Sequence, residues 1–535
     1  MSVALLGLLP LAQAMPSAPV PEEPSIIPLP ARLDVRVNEP GFAFNSPLNL
    51  TPAFCATPEG AALLRTLKLT DLPYDADAKT CDFAVNLGAS SLSDEAYRLD
   101  VTPERIRISA KTETGLFYAV QSLAQSVVKD AEGKPALPAM HVDDAPRFAW
   151  RGLMIDSCRY MLSIDEIKSI VDLMAHYKMS RLHWHLTDDQ GWRIAISKYP
   201  RLTEIGARRA ESPVMGDRNR GDGVPYAGFY TQDEIRDLVK YAKERHIVVV
   251  PEIETPGHSS AALAAYPEFG NTDIQGYAPK VQTTWGVHPY TFAPAKHTFS
   301  FLDDVLAEVC ELFPDSPYIH IGGDEAPKTQ WQQSPAAQAV MKAKGLADEN
   351  RLQSYFIERV EKLVQSRGKK IIGWEEIMEG GLSPTATVMV WTNPDHARRA
   401  LAQGNQVIMT PNAFCYLDYS QGAKPKDPLY ETIDSGARDW PFVYAQNPVP
   451  EGVAPEQEQL ILGVQGNVWT EYIPNLKKWQ YQVFPRAIAL AEMAWTPQAL
   501  RNGESFGKRL KKQADYLDNK KVNYREDDGT PHLDK

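Results

Sequence analysis

The sequence predicts an α/β protein, a (β/α)8 barrel preceded by a small α/β domain. Two observations carry that prediction. From Phe148 onward, short apolar runs alternate with amphipathic helical stretches, and there are eight such runs. Nearly every run also ends in a polar or aromatic group, which is where a barrel gathers its working side chains. An open doubly wound sheet would share the alternation. It usually carries a Gly-rich dinucleotide loop after its first strand, and this sequence has none there.

In chain order, Val3–Ala14 is an apolar run closing on the small residues Ala12-Gln-Ala14. It reads as a signal-peptide core and cleavage site, although it lacks a basic n-region. Residues 1–14 are therefore expected to direct export, to the periplasm or the medium. Residues 15–31 are Pro-rich and read as an extended linker. Residues 25–145 form the small domain, with strands at Tyr97–Val101 and Arg105–Ser109 and a helix at Thr114–Val128. Its exit, Val142-Asp-Asp-Ala-Pro146, marks a boundary.

The barrel is expected over residues 147–500. Its strands read as Arg151–Asp156, Arg181–Leu186, Ile247–Ile253, Tyr318–Ile321, Lys370–Trp374, Val388–Trp391, Val407–Thr410 and Ile461–Trp469. Helical patterns include Ser163–Lys178, Gln232–Glu244, Leu302–Leu312, Arg351–Gln365, Ala397–Ala402 and Trp479–Met493. Residues 501–535 read as a terminal helix and a polar tail.

Composition narrows the function. The chain has 535 residues, 43% hydrophobic and 23% charged, which are globular values. A net charge of −12 argues against a nucleic-acid partner. Beyond the apolar start, no stretch is long and apolar enough to span a bilayer. The five cysteines, at 55, 81, 158, 310 and 415, show no metal-ligand spacing. Cys55 and Cys81 could pair in an exported protein. Eleven Trp is a high count, and Trp is a favoured platform for sugar rings.

The most informative stretch is His320-Ile-Gly-Gly-Asp-Glu325. Two glycines break an apolar strand and remove side-chain bulk, and two adjacent carboxylates follow. Paired acids on a cleared strand end suit acid/base work on a bulky, uncharged substrate. Other strand ends carry Asp156-Ser-Cys-Arg159, Asp188-Asp189, Glu252-Ile-Glu-Thr-Pro-Gly-His258, Trp374-Glu-Glu376, Trp391, Tyr416-Leu-Asp418 and Trp469-Thr-Glu471. The His183-Trp-His185 pair offers a competing metal reading, since period two puts both imidazoles on one face. A metal amidohydrolase would want that pair on its first strand. Alternation is also expected to set it on the face opposite Asp188, so no metal is assigned.

The barrel resembles the family 20 glycoside hydrolases, the β-N-acetylhexosaminidases. The matching stretches are Arg151–Arg159, His183–Trp192, Pro251–His258, His320–Glu325, Gly373–Glu376, Tyr416–Asp418 and Gly466–Glu471. The resemblance implies an exo-acting, retaining glycosidase that needs no cofactor and in which the substrate's acetamide is the nucleophile. It implies that Glu325 is the general acid/base, that Asp324 orients the acetamide, and that Tyr416 donates to the acetamide oxygen. Trp374, Trp391 and Trp469 would wall the sugar. Arg159, Asp418 and Glu471 would bind hydroxyls, with Asp188 and His258 supporting Glu325 from behind. The implied partner is a glycan or glycoconjugate ending in β-linked N-acetylhexosamine. No motif decides the oligomeric state, and a homodimer is compatible with it. A lacto-N-biosidase-like enzyme and a silent amino-sugar-binding protein are the alternatives. Burial among Trp side chains, with Asp324 adjacent, is expected to favour the neutral acid form of Glu325.

Overall fold

The computed structural model describes residues 18–43, 47–422, 432, 433, 436 and 438–534. The apolar start read as a signal peptide, residues 1–14, lies outside the described residues. The chain forms two compact units. One runs to Arg147 and takes in Trp495–Gln513, and the other is Phe148–Ala494 with Ala514–Lys535.

The first unit is built on a five-stranded sheet with strands in the order Arg32–Val35, Met140–Asp144, Tyr97–Val101, Ile106–Ala110 and Phe83–Leu87. Alternation is visible along Tyr97–Val101, where Tyr97, Leu99 and Val101 are buried and Arg98 is exposed. The helix Glu113–Ala124 starts where Thr112 accepts from the Thr114 and Gly115 amides. It stops four residues short of the expected Val128, because Val128 pairs with Ala136 in a separate small sheet. Asp144 ties this unit together, accepting from Tyr97 Oη at 2.6 Å and Trp495 Nε1 at 3.0 Å. The stretch expected as one terminal helix and a tail holds two helices, Gly503–Lys512 and Ala514–Asn519. The chain passes from the first unit to the second between them.

The second unit is a closed parallel barrel of eight strands. They are β1 Trp150–Asp156, β2 Arg181–His185, β3 Val248–Glu252, β4 Tyr318–His320, β5 Lys370–Trp374, β6 Thr387–Val390, β7 Val407–Met409 and β8 Ile461–Gly466. The pairing register is what positions the chemistry. Asp156 lies beside His185, His185 beside Glu252, and Glu252 beside His320, so four strands end in one polar ring. Deeper in the barrel, Trp150, Val250, Ile372, Met389 and Ile408 pack as an apolar core.

Two outer helices begin with reciprocal capping boxes, Ser163 with Glu166 before Ile164–His176 and Thr231 with Glu234 before Gln232–Lys243. The stretch expected as one helix over Trp479–Met493 is two, Leu476–Val483 and Arg486–Trp495. Pro485 breaks it, having no amide to donate and restricting Phe484 before it. Among the described residues no helix is long and apolar enough to cross a membrane.

Ser163→Ala removes one half of an exposed capping box and should destabilise the barrel unit by about 1 kcal/mol. Urea titration followed by tryptophan fluorescence measures it. An unchanged midpoint would remove the cap from any role in stability.

Candidate active site

The turn after β4 is shaped by two glycines in left-handed conformations, Gly322 at φ 68° and Gly323 at φ 100°. A Cβ on Gly322 would overlap the Glu254 carboxylate, and one on Gly323 would overlap Ile377. The double glycine therefore lets the chain turn against β3 and β5 at once. Glu325 (φ 45°) and His258 (φ 44°) also occupy the left-handed region. For residues with a Cβ that region is strained, and the surrounding contacts must hold it.

The turn sends the two carboxylates to different environments. The Asp324 side chain is 13% exposed and that of Glu325 is 39% exposed. Asp324 Oδ1 is buried without a hydrogen-bond partner. His258 faces both acids, its Nε2 3.6 Å from Asp324 Oδ2 and 3.5 Å from Glu325 Oε2. The other side of that ring is held by Asp189 at 2.9 Å and Asp188 at 3.4 Å. Burial works against a charged His258, but Asp188, Asp324 and Asp189 outweigh it and raise its pKa well above the usual value.

The expected protonation pattern is reversed in the free site. The contact with His258 pulls the Glu325 carboxyl below its ordinary pKa, against the opposing effect of burial. It is Asp324 that burial pushes up, to about 6, with Glu252, Glu325 and Asp188 adding to the push against His258. The correction is geometric. Glu325 stands at the rim beside a cation, whereas Asp324 takes the desolvated position.

Strand ends from around the barrel complete the cleft. Arg159, after β1, reaches Asp188 at 2.8 Å, Asp156 at 3.3 Å and Gln190 at 2.9 Å, and lies over Trp469. Trp374 is locked by its Nε1, which donates to Glu252 at 2.8 Å. Trp391 is held twice. Its backbone amide donates to Glu375 at 2.9 Å and its indole to Glu376 at 3.3 Å. Its ring then stacks on Tyr416, with 5.9 Å between centroids and 10° between planes. Trp469 lies 5.9 Å from Trp374 and 6.3 Å from Tyr416, so four aromatic rings line the cleft that Asp324 also lines. Asp418 and Glu471 stand beyond them. Burial, then their mutual repulsion, raises Asp418 strongly, and burial raises Glu471 against the pull of Arg159.

The structure brings all eleven residues singled out from the sequence into the lining of this one cleft, with open space of about 620 Å³. It adds Tyr419 and Ile433, which sequence motifs did not mark. Behind the lining, Glu376 accepts from the Trp391 indole, and its carboxyl is pushed up to about 8 by burial and then by Asp324. The adjacent acids of Trp374-Glu-Glu376 were a visible signal for it.

The expectation for the His183–His185 pair fails in one respect. His185 does not face away from Asp188. Its Nε2 lies 3.0 Å from Asp188 Oδ2. Strand β2 ends at His185, so alternation cannot be carried through Leu186 to Asp188. His183, Glu252 and His320 offer donor atoms within 4.8 Å of one another, a spacing that could hold a metal. Glu252 pairs with both histidines, while His183 Nε2 and His320 Nε2 make no hydrogen bond. Gln465 donates to His183 Nδ1, which leaves the His183 proton on Nε2, 3.1 Å from Glu252. Glu252 also receives the Trp374 indole and faces His320 at 2.7 Å.

Residues 148–498 match the catalytic domain of glycosyl hydrolase family 20, and residues 23–145 match domain 2 of that family. The chain belongs to glycosyl hydrolase family 20. It is 42% identical over 445 residues to a beta-hexosaminidase of Porphyromonas gingivalis, an alignment covering 82% of this chain and 55% of that relative. The match thus spans little more than half that relative's length. A beta-hexosaminidase of Vibrio furnissii is 36% identical, with 87% of this chain and 76% of the relative covered. Among solved structures, the exo beta-N-acetylglucosaminidase of Vibrio harveyi in complex with N-acetylglucosamine superposes with a TM-score of 0.81 at 31% identity. That superposition covers 95% of this family 20 hydrolase and 79% of the Vibrio harveyi chain.

The raised Asp324 carboxyl has a consequence for stability. Its folded pKa of about 6 lies above the ordinary value of 3.8, so ionising it costs folding energy as pH rises through that window. Asp324→Asn should therefore match the parent near pH 4 and exceed it by roughly 2–3 kcal/mol above pH 6. Denaturant midpoints at the two pH values test this. A variant no more stable than the parent at pH 7.5 would contradict the desolvated carboxylate.

Proposed function

We propose that this chain is a retaining exo-β-N-acetylhexosaminidase that removes terminal, non-reducing β-linked N-acetylglucosamine or N-acetylgalactosamine. The observation that carries the reading is the division between neighbours. Asp324 presents a buried, unpartnered oxygen in a cleft lined by four aromatic rings, and Glu325, more exposed, stands against His258. Adjacent residues cannot act from opposite faces of a glycosidic bond. They can address two neighbouring groups of one sugar. The names of the relatives, beta-hexosaminidase and exo beta-N-acetylglucosaminidase, support the same substrate class.

In the proposed reaction the aromatic walls bind the apolar faces of the pyranose, while Arg159, Asp418 and Glu471 take its hydroxyls. Asp324 accepts the acetamide N–H and Tyr416 donates to the acetamide oxygen. That oxygen attacks C1 as the bond from C1 to the leaving oxygen breaks, and Glu325 gives its proton to the leaving group. Asp324 offsets the positive charge of the oxazolinium ring. Glu325 then takes a proton from water as the water oxygen bonds C1 and the acetamide oxygen departs. Two inversions at C1 leave its configuration retained. The apolar run Val3–Ala14 supports a periplasmic or secreted location.

Glu325→Gln keeps the shape of the acid and removes its proton, and should cost about 10²–10⁴-fold in rate on aryl β-N-acetylglucosaminides with poor leaving groups. The loss should shrink for very good leaving groups, which need little protonation. Equal losses across the series would take Glu325 out of the acid role.

A thiazoline mimic of the cyclised intermediate should bind far more tightly than N-acetylglucosamine, and Asp324→Asn should weaken the mimic more than the product. Plain β-glucosides should not be cleaved, since they leave Asp324 and Tyr416 without partners. Efficient β-glucoside hydrolysis, or a sugar trapped covalently on an enzyme carboxylate, would overturn the mechanism.

A further inference from the structure

His185 is used by no step above, yet it is fully buried directly beneath the cleft. Its Nδ1 contacts Glu252 Oε2, and its Nε2 lies 3.0 Å from Asp188 Oδ2. With a carboxylate oxygen on each side, both ring nitrogens can donate only in the imidazolium form. We propose that His185 is a positioning residue for hydrolysis, a buried imidazolium that fixes Asp188 and, through it, His258 behind Glu325. The proposal rests on the reading of Glu325 as the acid/base.

The contacts form one line of alternating sign. Glu252 meets His185, His185 meets Asp188, Asp188 Oδ1 lies 3.4 Å from His258 Nδ1, and His258 Nε2 lies 3.5 Å from Glu325. Arg159 joins at Asp188. Burial opposes a charged His185, but Glu252, Cys158 and Asp188 outweigh it. Burial, with the neighbouring histidines, pushes His183 down to about 4 despite Glu252, so it stays neutral and does not compete for that place.

Other groups face His185 from the surrounding elements. Asp156 and Cys158 come from β1 and its end, Glu254 from beyond β3 at 3.9 Å, His320 reaches it through Glu252, and the Trp469 ring lies edge-on at 5.0 Å. Burial and then Asp324 hold Glu254 protonated, which leaves Glu252 and Asp188 as the two anions on His185. A buried ion pair is a poor device for stability, since apolar side chains of equal volume often serve as well. What this one supplies is orientation and field. Nε2–H fixes one oxygen of Asp188, and the other accepts the Asp189 amide and lies 3.4 Å from His258 Nδ1, which is itself hydrogen-bonded to Asp189 at 2.9 Å. The positive charge also weakens the negative potential that Asp188 imposes on the proton shared by His258 and Glu325. Glu325 then gives up that proton more readily.

The test uses the full chain and a pair of aryl β-N-acetylglucosaminides, one with a good leaving group and one with a poor one. His185→Gln keeps an amide N–H toward Asp188 and loses the charge, and His185→Ala loses both. For the poor leaving group, His185→Gln should lower kcat about ten- to a hundredfold with KM nearly unchanged, as small misplacements of catalytic groups do. The alkaline limb of its kcat/KM profile should move to higher pH. His185→Ala should lose more, and the good leaving group should be affected little. Nitrogen-15 histidine spectra of the parent chain give a readout independent of activity and of the folding of any variant. The imidazoliums of both His185 and His258 should persist to pH 8, and His185→Gln should remove the first and leave the second. A neutral His185 in the parent at pH 7, or equal losses on both substrates with an unmoved alkaline limb, would overturn the proposal. A parent chain inactive on both substrates would overturn the parent reading and this role with it, even with the imidazolium present.

Discussion

The constraint on which this structure depends is the burial of many carboxylates at one end of a closed barrel. Asp156, Asp188, Asp189, Glu252, Glu254 and Asp418 are almost wholly removed from water. Isolated carboxylates in such a place cost several kcal/mol each or lose their charge. The molecule uses both outcomes. Burial would raise Asp188 and Glu252, but Arg159, His258 and His185 hold the first ionised, and His320, His185 and His183 hold the second. Glu254 and Asp418 have no cation close enough to outweigh burial and move the other way, toward the neutral acid. The site thus holds a charged line and, beside it, acids that burial keeps neutral. Asp324 lies between these two regimes, near pH 6.

Barrel geometry makes that sorting unavoidable. Parallel strands in register place Asp156, His185, Glu252 and His320 in one ring. Polar groups in such a ring must satisfy one another. An apolar core lies below, and the cleft above is walled by indoles. Trp374 shows how the two layers are joined. Its ring lines the cleft while its nitrogen donates to Glu252 in the ring beneath, so the pocket wall and the charge network are fixed by the same hydrogen bond.

Much of this was legible in the sequence, and the parts that were not share a physical reason. The eight strands, the amphipathic helices between them and the polar ends of the strands are local patterns. The register that brings His185 beside Glu252, 67 residues later, is not local, and neither is the approach of His258 to Glu325. The sequence reading placed His258 behind Glu325 but weighed only burial among Trp side chains and the adjacent Asp324, and so left out the charge that His258 brings through space. Alternation failed at Asp188 because it was extended three residues past the end of its strand at His185. The break at Pro485 was legible and went unread, since the apolar period of 479–493 continues across it. Tyr419 and Ile433 carry no motif, and only the closed cleft identifies them.

The protonation of the free site bears on how it would select its substrate. The proposed mechanism needs Asp324 ionised and Glu325 protonated, and the free site leans the other way. An acetamide N–H placed on Asp324 Oδ1 would favour the carboxylate there, because a hydrogen bond to the charged form lowers a pKa. A sugar ring laid across the rim would strip water from Glu325, 39% exposed until then, and raise it. His258 touches both acids, so a proton leaving one has a short path to the other. A sugar without the acetamide could still cover Glu325 but would leave Asp324 unpartnered and disposed to keep its proton. Only the substrate that brings its own nucleophile would set both acids in the states that nucleophile requires. Discrimination would then arise partly from the charge state of the site and not solely from the shape of the pocket.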